Sequence, residues 1–190
     1  MRKGHGGTKL VQVNDHLALV HGVIAPDTGM IDAPIARSAN ERTRMAVRDV
    51  PSAREAVTTF RVLERFEHGA HDDGYTLVDC KLFTGRTHQI RVHMQYTKHP
   101  VVGDPVYDAH APRDPEAQLG LERQFLHSFR LEFAHPATGE ELSFLDGLPR
   151  DLREALDGLA TRSRGRTAAG DEAPAPGTVL NADVFEANDY

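Results

Sequence analysis

Apolar residues recur at every second position in two neighbouring stretches, residues 56–66 and 75–83, with a polar turn between them. A period of two is typical of a β-strand whose faces meet different environments. The pattern therefore predicts a long hairpin, and residues 125–145 have the pattern of a second one. The mostly apolar run 17–24 ends in the turn sequence Ala25-Pro-Asp-Thr-Gly29 and predicts a core strand.

Two further stretches have helical spacing. Residues 88–98 place Ile90 and Met94 on one face of a helix, and Thr87 stands where an N-cap residue is needed. Residues 149–159 space three leucines at i, i+4 and i+7 behind a proline suited to a first helical turn. The spacing predicts a short helix in the middle of the chain and a terminal helix that closes the domain.

Composition places the chain among ordinary globular domains. It has 190 residues, 39% hydrophobic and 26% charged, with one Cys and no Trp, which disfavours collagen-like, coiled-coil, disordered and disulfide-rich classes. From residue 161 the composition shifts to Arg, Ala, Gly, Pro and acids, so we expect 161–190 to be a disordered tail. We also expect residues 1–15 to be a flexible segment.

The lone Cys80 is interpreted as a buried small residue. No apolar run approaches the roughly 20 residues of a membrane span, so we expect a cytoplasmic protein without membrane contact.

The formal net charge of -6 gives no bulk basicity, so any nucleic-acid binding must depend on a local patch. Such a patch is offered by residues 82–94, a strand that ends in a glycine turn and enters a helix with two Arg, two His and a Gln in its first turns. This pattern predicts an anion-facing surface, and a solvated polar helix face is the alternative. Three other sites are disfavoured: a zinc site on His88 and His93, which are five residues apart; a phosphate loop on Gly4, Gly6 and Gly7; and a hydrolase triad around Ser128 with His127 or Asp146.

The run Thr84-Gly-Arg-Thr-His-Gln-Ile-Arg-Val-His-Met94, followed by His99-Pro-Val-Val-Gly-Asp104, closely resembles the third motif region of the RluA/RluD-type RNA pseudouridine synthases. Agreement extends over about residues 16–150. The resemblance implies isomerisation of a uridine within rRNA or tRNA, in which the C–N glycosidic bond breaks and the base is rejoined through carbon, without a metal or cofactor. Because the target nucleotide must leave its stack, the site needs a cleft with phosphate contacts.

Two departures from the family pattern concern the reactive groups. The family's catalytic aspartate lies in a His-Arg-Leu-Asp motif, and these 190 residues contain no such run. The family's tyrosine aligns with His16, and the arginine that pairs with the aspartate falls on Arg91. We therefore interpret residues 16–160 as the C-terminal part of a catalytic domain and expect negligible turnover alone. Without its acid, Arg91 is expected to turn to solvent, to phosphate, or to an acid such as Asp104.

The resemblance also places Arg86, His88, Gln89 and His99 near an RNA-facing cleft, although each could instead stabilise the turn and the helix start. Leu126 lines the base pocket or belongs to the core. The implied fold class is α+β, a mixed, largely antiparallel sheet with flanking helices. Two alternatives to the incomplete enzyme remain: a non-catalytic RNA-binding remnant that holds structured RNA through its arginines, and a half that needs a complementing N-terminal chain.

Overall fold

The computed structural model describes residues 13–41, 43–108 and 115–173. Its strands are β1 (Val13–His21), β2 (Thr28–Asp32), β3 (Ile35–Arg37), β4 (Met45–Val47), β5 (Val57–Phe66), β6 (Tyr75–Leu82), β7 (Leu126–Ala134), β8 (Glu141–Leu145) and β9 (Ser163–Arg166). Its helices are α1 (Gln89–Tyr96), α2 (Arg150–Asp157) and α3 (Ala168–Glu172), with a 3₁₀ turn at Ala160–Arg162. None of these helices is long and apolar enough to cross a membrane.

The main sheet has the order β2-β5-β6-β1-β7-β8, and β9 pairs with the far end of β5. Every strand pair in it is antiparallel, and β3 and β4 form a separate two-stranded ribbon. The two predicted hairpins are β5–β6 and β7–β8. The expected α+β class, with a largely antiparallel sheet and few helices, is confirmed.

The central strands β1 and β6 are buried on both faces. Leu19, Val20, Leu77 and Val78 are each at most 2% exposed. Consecutive rather than alternate burial means that chain packs on both sides of the sheet here. Full burial of such side chains contributes about 1.5–3 kcal/mol each, so the packing of β1 and β6 stabilises the centre of the sheet.

The strand register identifies the face on which α1 lies. His16 pairs with Cys80, and Cys80 pairs with Phe60, so these three side chains share one face. Thr58 lies two positions from Phe60 on the same face, and its hydroxyl is hydrogen-bonded to two side chains of α1. We call this side of the sheet the α1 face.

The predicted disordered tail is wrong for its first residues. Within 161–173, β9 pairs with β5 and α3 packs beside it. Arg162 donates to the Glu67 carbonyl and to Asp72, and the Thr167 hydroxyl both donates to β5 and caps α3. Composition missed this order because the segment is held by hydrogen bonds to β5 and to the turn after it, together with the small side chains of Ala169 and Ala173 that pack against the core. Residues 174–190 lie outside the described part of the chain, as do 1–12, whereas 13–15 belong to β1 rather than to a flexible end.

The predicted N-cap at Thr87 is also wrong. The residue that precedes α1 is His88, whose backbone is left-handed (φ 58°) and whose side chain makes no capping hydrogen bond. The helix therefore begins one residue later than a threonine cap would place it. The turn before it is held instead by a side chain from inside the helix, that of Gln89.

Candidate functional site

Gln89 fixes the turn that enters α1. Its Oε1 accepts hydrogen bonds from the Thr84 hydroxyl at 2.8 Å and from the Arg86 backbone N–H at 3.0 Å. Its Nε2 donates to the Val57 carbonyl and to the Thr58 hydroxyl, each at 3.0 Å. The side chain is buried, so Gln89 holds the turn that displays Arg86, and this is the stabilising role that the sequence left open.

Arg91 is bound by a carboxylate of this chain. Its Nε and Nη2 donate to the two oxygens of Asp104, both at 2.7 Å, and the Asp104 side chain is fully buried. Burial alone raises the pKa of Asp104, but hydrogen bonds from Arg91 and from the Tyr107 and Val106 backbone outweigh it and lower that pKa below its ordinary value. Of the three outcomes expected for Arg91, the pairing with Asp104 is the one observed.

The sharp bend that brings Asp104 to Arg91 depends on Gly103. Its φ of +73° is left-handed, and a Cβ there would lie 2.2 Å from the Arg123 carbonyl oxygen. The Asp104 carboxylate then accepts the backbone N–H groups of Val106 and Tyr107. Gly103 and Asp104 thus shape a turn, and the same turn supplies the counter-ion of Arg91.

A cleft of about 520 Å³ lies beside the turn. Among the described residues that line it are three arginines, Arg37, Arg54 and Arg86, and no carboxylate. The Arg86 Nε donates to the Glu55 carbonyl at 2.9 Å, which anchors the guanidinium at this place. Three arginines in one lining form a patch that attracts phosphate even though the whole chain is acidic.

His16 and Leu126 lie together on the α1 face. Leu126 pairs with Ala18, two positions from His16, so the two side chains are diagonal neighbours on adjacent strands. Both residues are half-buried. Burial lowers the pKa of His16 below its ordinary value, which favours the neutral imidazole. The structure thus brings together the residue that aligns with the family's tyrosine and the residue assigned to the base pocket.

His99 lies elsewhere. It follows α1 in the chain and packs beside the C-terminal end of β1, at His21. Its Nδ1 is hydrogen-bonded to the His21 carbonyl at 2.8 Å, and it lines a second cleft of about 570 Å³. That cleft mixes Lys98 and three histidines with Asp72, Asp73 and Asp108. It therefore offers phosphate a less favourable electrostatic field than the cleft lined by Arg37, Arg54 and Arg86, which we call the arginine cleft. Within the described residues, no three His, Cys, Asp or Glu side chains lie in an arrangement that could hold a metal ion.

Comparison with known proteins decides the family. A family model described as RNA pseudouridylate synthase matches residues 13–96. An uncharacterized RNA pseudouridine synthase, YlyB of Bacillus subtilis, is 46% identical over 144 residues, or 76% of this chain and 43% of that protein. Ribosomal large subunit pseudouridine synthase D of Nitrosomonas europaea is 45% identical over 147 residues, or 76% and 40%. The chain belongs to the RluA/RluD-type family of RNA pseudouridine synthases.

The structure agrees with that membership. The solved structure of human RNA Pseudouridylate Synthase Domain Containing 1 superposes with a TM-score of 0.61 at 29% identity, over 73% of this chain and 55% of that one. Human RNA Pseudouridylate Synthase Domain Containing 4 gives 0.59 at 28% identity, over 82% and 64%. The chain therefore has the pseudouridine synthase fold, and it spans 40 to 43% of the length of the two bacterial relatives.

Three residues of the site did not emerge from the sequence as candidates. Arg37 and Arg54 lie far from the motif along the chain, and nothing in their local pattern distinguishes them from other surface arginines. Tyr107 follows the motif, and the structure places its buried ring against Arg91 and its hydroxyl against His88. Its position three residues after Asp104 was a usable signal, because the two residues share one turn.

Proposed function

We propose that this chain forms the RNA-holding part of a pseudouridine synthase catalytic domain, and that alone it binds structured RNA, rRNA or tRNA, without isomerising uridine. The observation that carries the proposal is the cleft lined by Arg37, Arg54 and Arg86 beside the family motif. Its chemistry suits a phosphate backbone, and its position follows from the turn that Gln89 holds.

Arg86, rather than Arg91, is the motif arginine that we assign to RNA. Arg91 is buried, and its guanidinium is engaged by both oxygens of Asp104. Releasing it would leave a buried carboxylate unpaired, at a cost of about 3–5 kcal/mol. Arg86 is half-buried and lines the arginine cleft, so it can bind phosphate without breaking an internal ion pair.

The lack of turnover follows from the chemistry that the 190 residues offer. They contain no His-Arg-Leu-Asp run, and the carboxylate that touches Arg91 is buried and accepts four hydrogen bonds. A carboxylate held in this way is a poor nucleophile. Binding contacts alone do not replace a missing catalytic group, whose loss commonly costs several orders of magnitude in rate.

Binding is tested by fluorescence anisotropy with labelled rRNA hairpins and tRNA across a salt series. We expect affinity to fall steeply with salt, and Arg86→Ala and Arg54→Ala each to weaken binding about three- to tenfold and to reduce the salt slope by about one. Arg150→Ala is the matched control, because Arg150 is exposed, pairs with Glu154 on α2 and does not line the cleft. Salt-insensitive binding, or an equal loss in the control, would contradict the proposal.

Turnover is tested by chemical mapping of pseudouridine after incubation of the chain with rRNA and tRNA. We expect no conversion by the chain alone. Conversion at an enzyme-like rate would overturn the claim of inactivity. Repeating the assay with an added polypeptide that carries a His-Arg-Leu-Asp motif tests complementation: recovered activity favours a half enzyme, and binding without recovery favours a non-catalytic RNA-binding protein.

A further inference from the structure

The hydroxyl of Tyr107 has two neighbours with different hydrogen-bonding abilities. The Met45 backbone N–H donates to Oη at 3.0 Å, and the His88 Nδ1 lies 2.9 Å from the same oxygen. A backbone N–H cannot accept, whereas a phenol has one hydrogen to donate. The hydroxyl hydrogen is not used by Met45, and when it is donated to His88 Nδ1 that nitrogen is the unprotonated acceptor.

This arrangement determines the form of the His88 side chain. A neutral imidazole whose Nδ1 accepts carries its hydrogen on Nε2. Burial, and then the positive charge of Arg91, lower the pKa of His88, and the opposing effect of Asp104 is smaller. A lowered pKa favours the neutral ring, which in this arrangement has one N–H donor, on the side away from Tyr107.

Tyr107 is itself a firm anchor. It is 1% exposed, and the guanidinium carbons of Arg91 and Arg44 lie 4.8 and 5.4 Å from its ring centroid. The His88 ring meets it edge-on, with centroids 5.5 Å apart and an interplanar angle of 74°. The backbone of His88 is left-handed, a conformation that non-glycine residues seldom adopt and that is concentrated at functional sites.

We propose that Tyr107 is a positioning residue that holds His88 in its neutral Nε2–H form, so that this N–H donates to an acceptor oxygen of RNA bound in the arginine cleft. Met45 and Thr87, the neighbours of Tyr107 and His88, both line that cleft. The proposal rests on the proposed RNA binding and adds a neutral donor to the three cations. Such a donor recognises an oxygen by direction as well as by charge.

The test combines ¹⁵N NMR of the His88 ring with RNA affinity. In the unaltered chain we expect a single Nε2–H tautomer, and in Tyr107→Phe, which keeps the ring and removes the hydroxyl, a mixture of tautomers. His88→Ala and Tyr107→Phe should each weaken RNA binding several-fold, and the double variant should lose no more than His88→Ala alone. Tyr96→Phe, at an exposed tyrosine of α1, is the matched control and should change neither readout.

An Nδ1–H tautomer in the unaltered chain, or additive losses in the double variant, would overturn the proposal. If Tyr107→Phe does not fold, two substitutions of His88 decide instead. His88→Gln, whose amide can reach the Nε2 position, should retain most of the affinity, and the shorter His88→Asn should not; the reverse order refutes the assignment. If the unaltered chain binds no RNA, the proposed function fails, and the tautomer measurement alone judges the role of Tyr107.

Discussion

Replacing Asp104 with asparagine tests whether the Arg91–Asp104 pair sustains the motif region. The substitution keeps the size of the side chain and one carbonyl oxygen, which can still accept the backbone N–H groups of Val106 and Tyr107. It removes the negative charge, and the new amide hydrogens face the donors of Arg91. The buried guanidinium is then left without a counter-ion.

The magnitude follows from burial. The Asp104 side chain is fully buried and that of Arg91 is 11% exposed, with both N–O distances at 2.7 Å. Breaking a buried pair by removing one partner costs about 3–5 kcal/mol. For a chain of this size, that corresponds to a fall in melting temperature of roughly 6–20 °C.

The assay is urea unfolding followed by far-UV circular dichroism, because the chain has no Trp to report by fluorescence. Asp151→Asn is the matched control. Asp151 holds Arg123 through the same two-point geometry, at 2.6 and 2.8 Å, but both side chains are more than 40% exposed. An exposed pair contributes at most about 1 kcal/mol.

Equal losses in the two variants would refute the reasoning, because the expected difference in stability comes from burial of the ion pair and not from its geometry. So would a loss below about 1 kcal/mol in Asp104→Asn. A second comparison sharpens the result. Adding Arg91→Met to Asp104→Asn should recover part of the lost stability, since the buried charge that caused the loss is then gone.

Two more stability predictions concern other buried polar groups. Burial, then the charge of Asp79, raises the pKa of Asp15 above its ordinary value of 3.8. The stabilising contribution of the protonated Asp15 is therefore present below pH 3.8 and is lost as the pH rises through the raised pKa. The urea midpoint of Asp15→Asn should accordingly exceed that of the unaltered chain, by a margin that grows above about pH 4. Thr58→Val removes the hydroxyl that accepts from Gln89 and should cost about 1–3 kcal/mol in urea unfolding, whereas Thr59→Val, on the opposite face of β5, should change stability by less than about 0.5 kcal/mol.

Local patterns were sufficient for the elements that carry their own signal. Apolar residues recur with a period of two over parts of the hairpins β5–β6 and β7–β8, and α1 and α2 have helical spacing, so each was predictable to within a few residues. The short strands β3 and β9 have three and four residues, too few for a period to appear. They form because a partner strand is already present, which is information that no local window contains.

The candidate site was predictable only where its residues adjoin in the chain. The resemblance identified the stretch that contains Arg86 and Arg91, but the arginine cleft also takes Arg37 from the end of β3 and Arg54 from the segment before β5. Pairing of Arg91 with Asp104 was one of three expected outcomes, and deciding among them required the backbone conformation of the turn at Gly103. Side-chain partners thirteen residues apart depend on geometry that composition and spacing do not determine.

The positive charge of Arg91 is balanced by the Asp104 carboxylate, so the motif region does not need an aspartate from a His-Arg-Leu-Asp motif to neutralise it. The counter-ion of Arg91 comes from the turn after α1, and that turn also places Tyr107 beneath His88. A polypeptide that supplied the aspartate would therefore meet a buried Arg91 that Asp104 already neutralises, and an Arg86 that lines the arginine cleft. If such a polypeptide restores turnover, Arg86→Ala should lower the restored activity at subsaturating RNA about three- to tenfold. Arg86→Lys, which keeps the charge but not the planar fork, should lower it less.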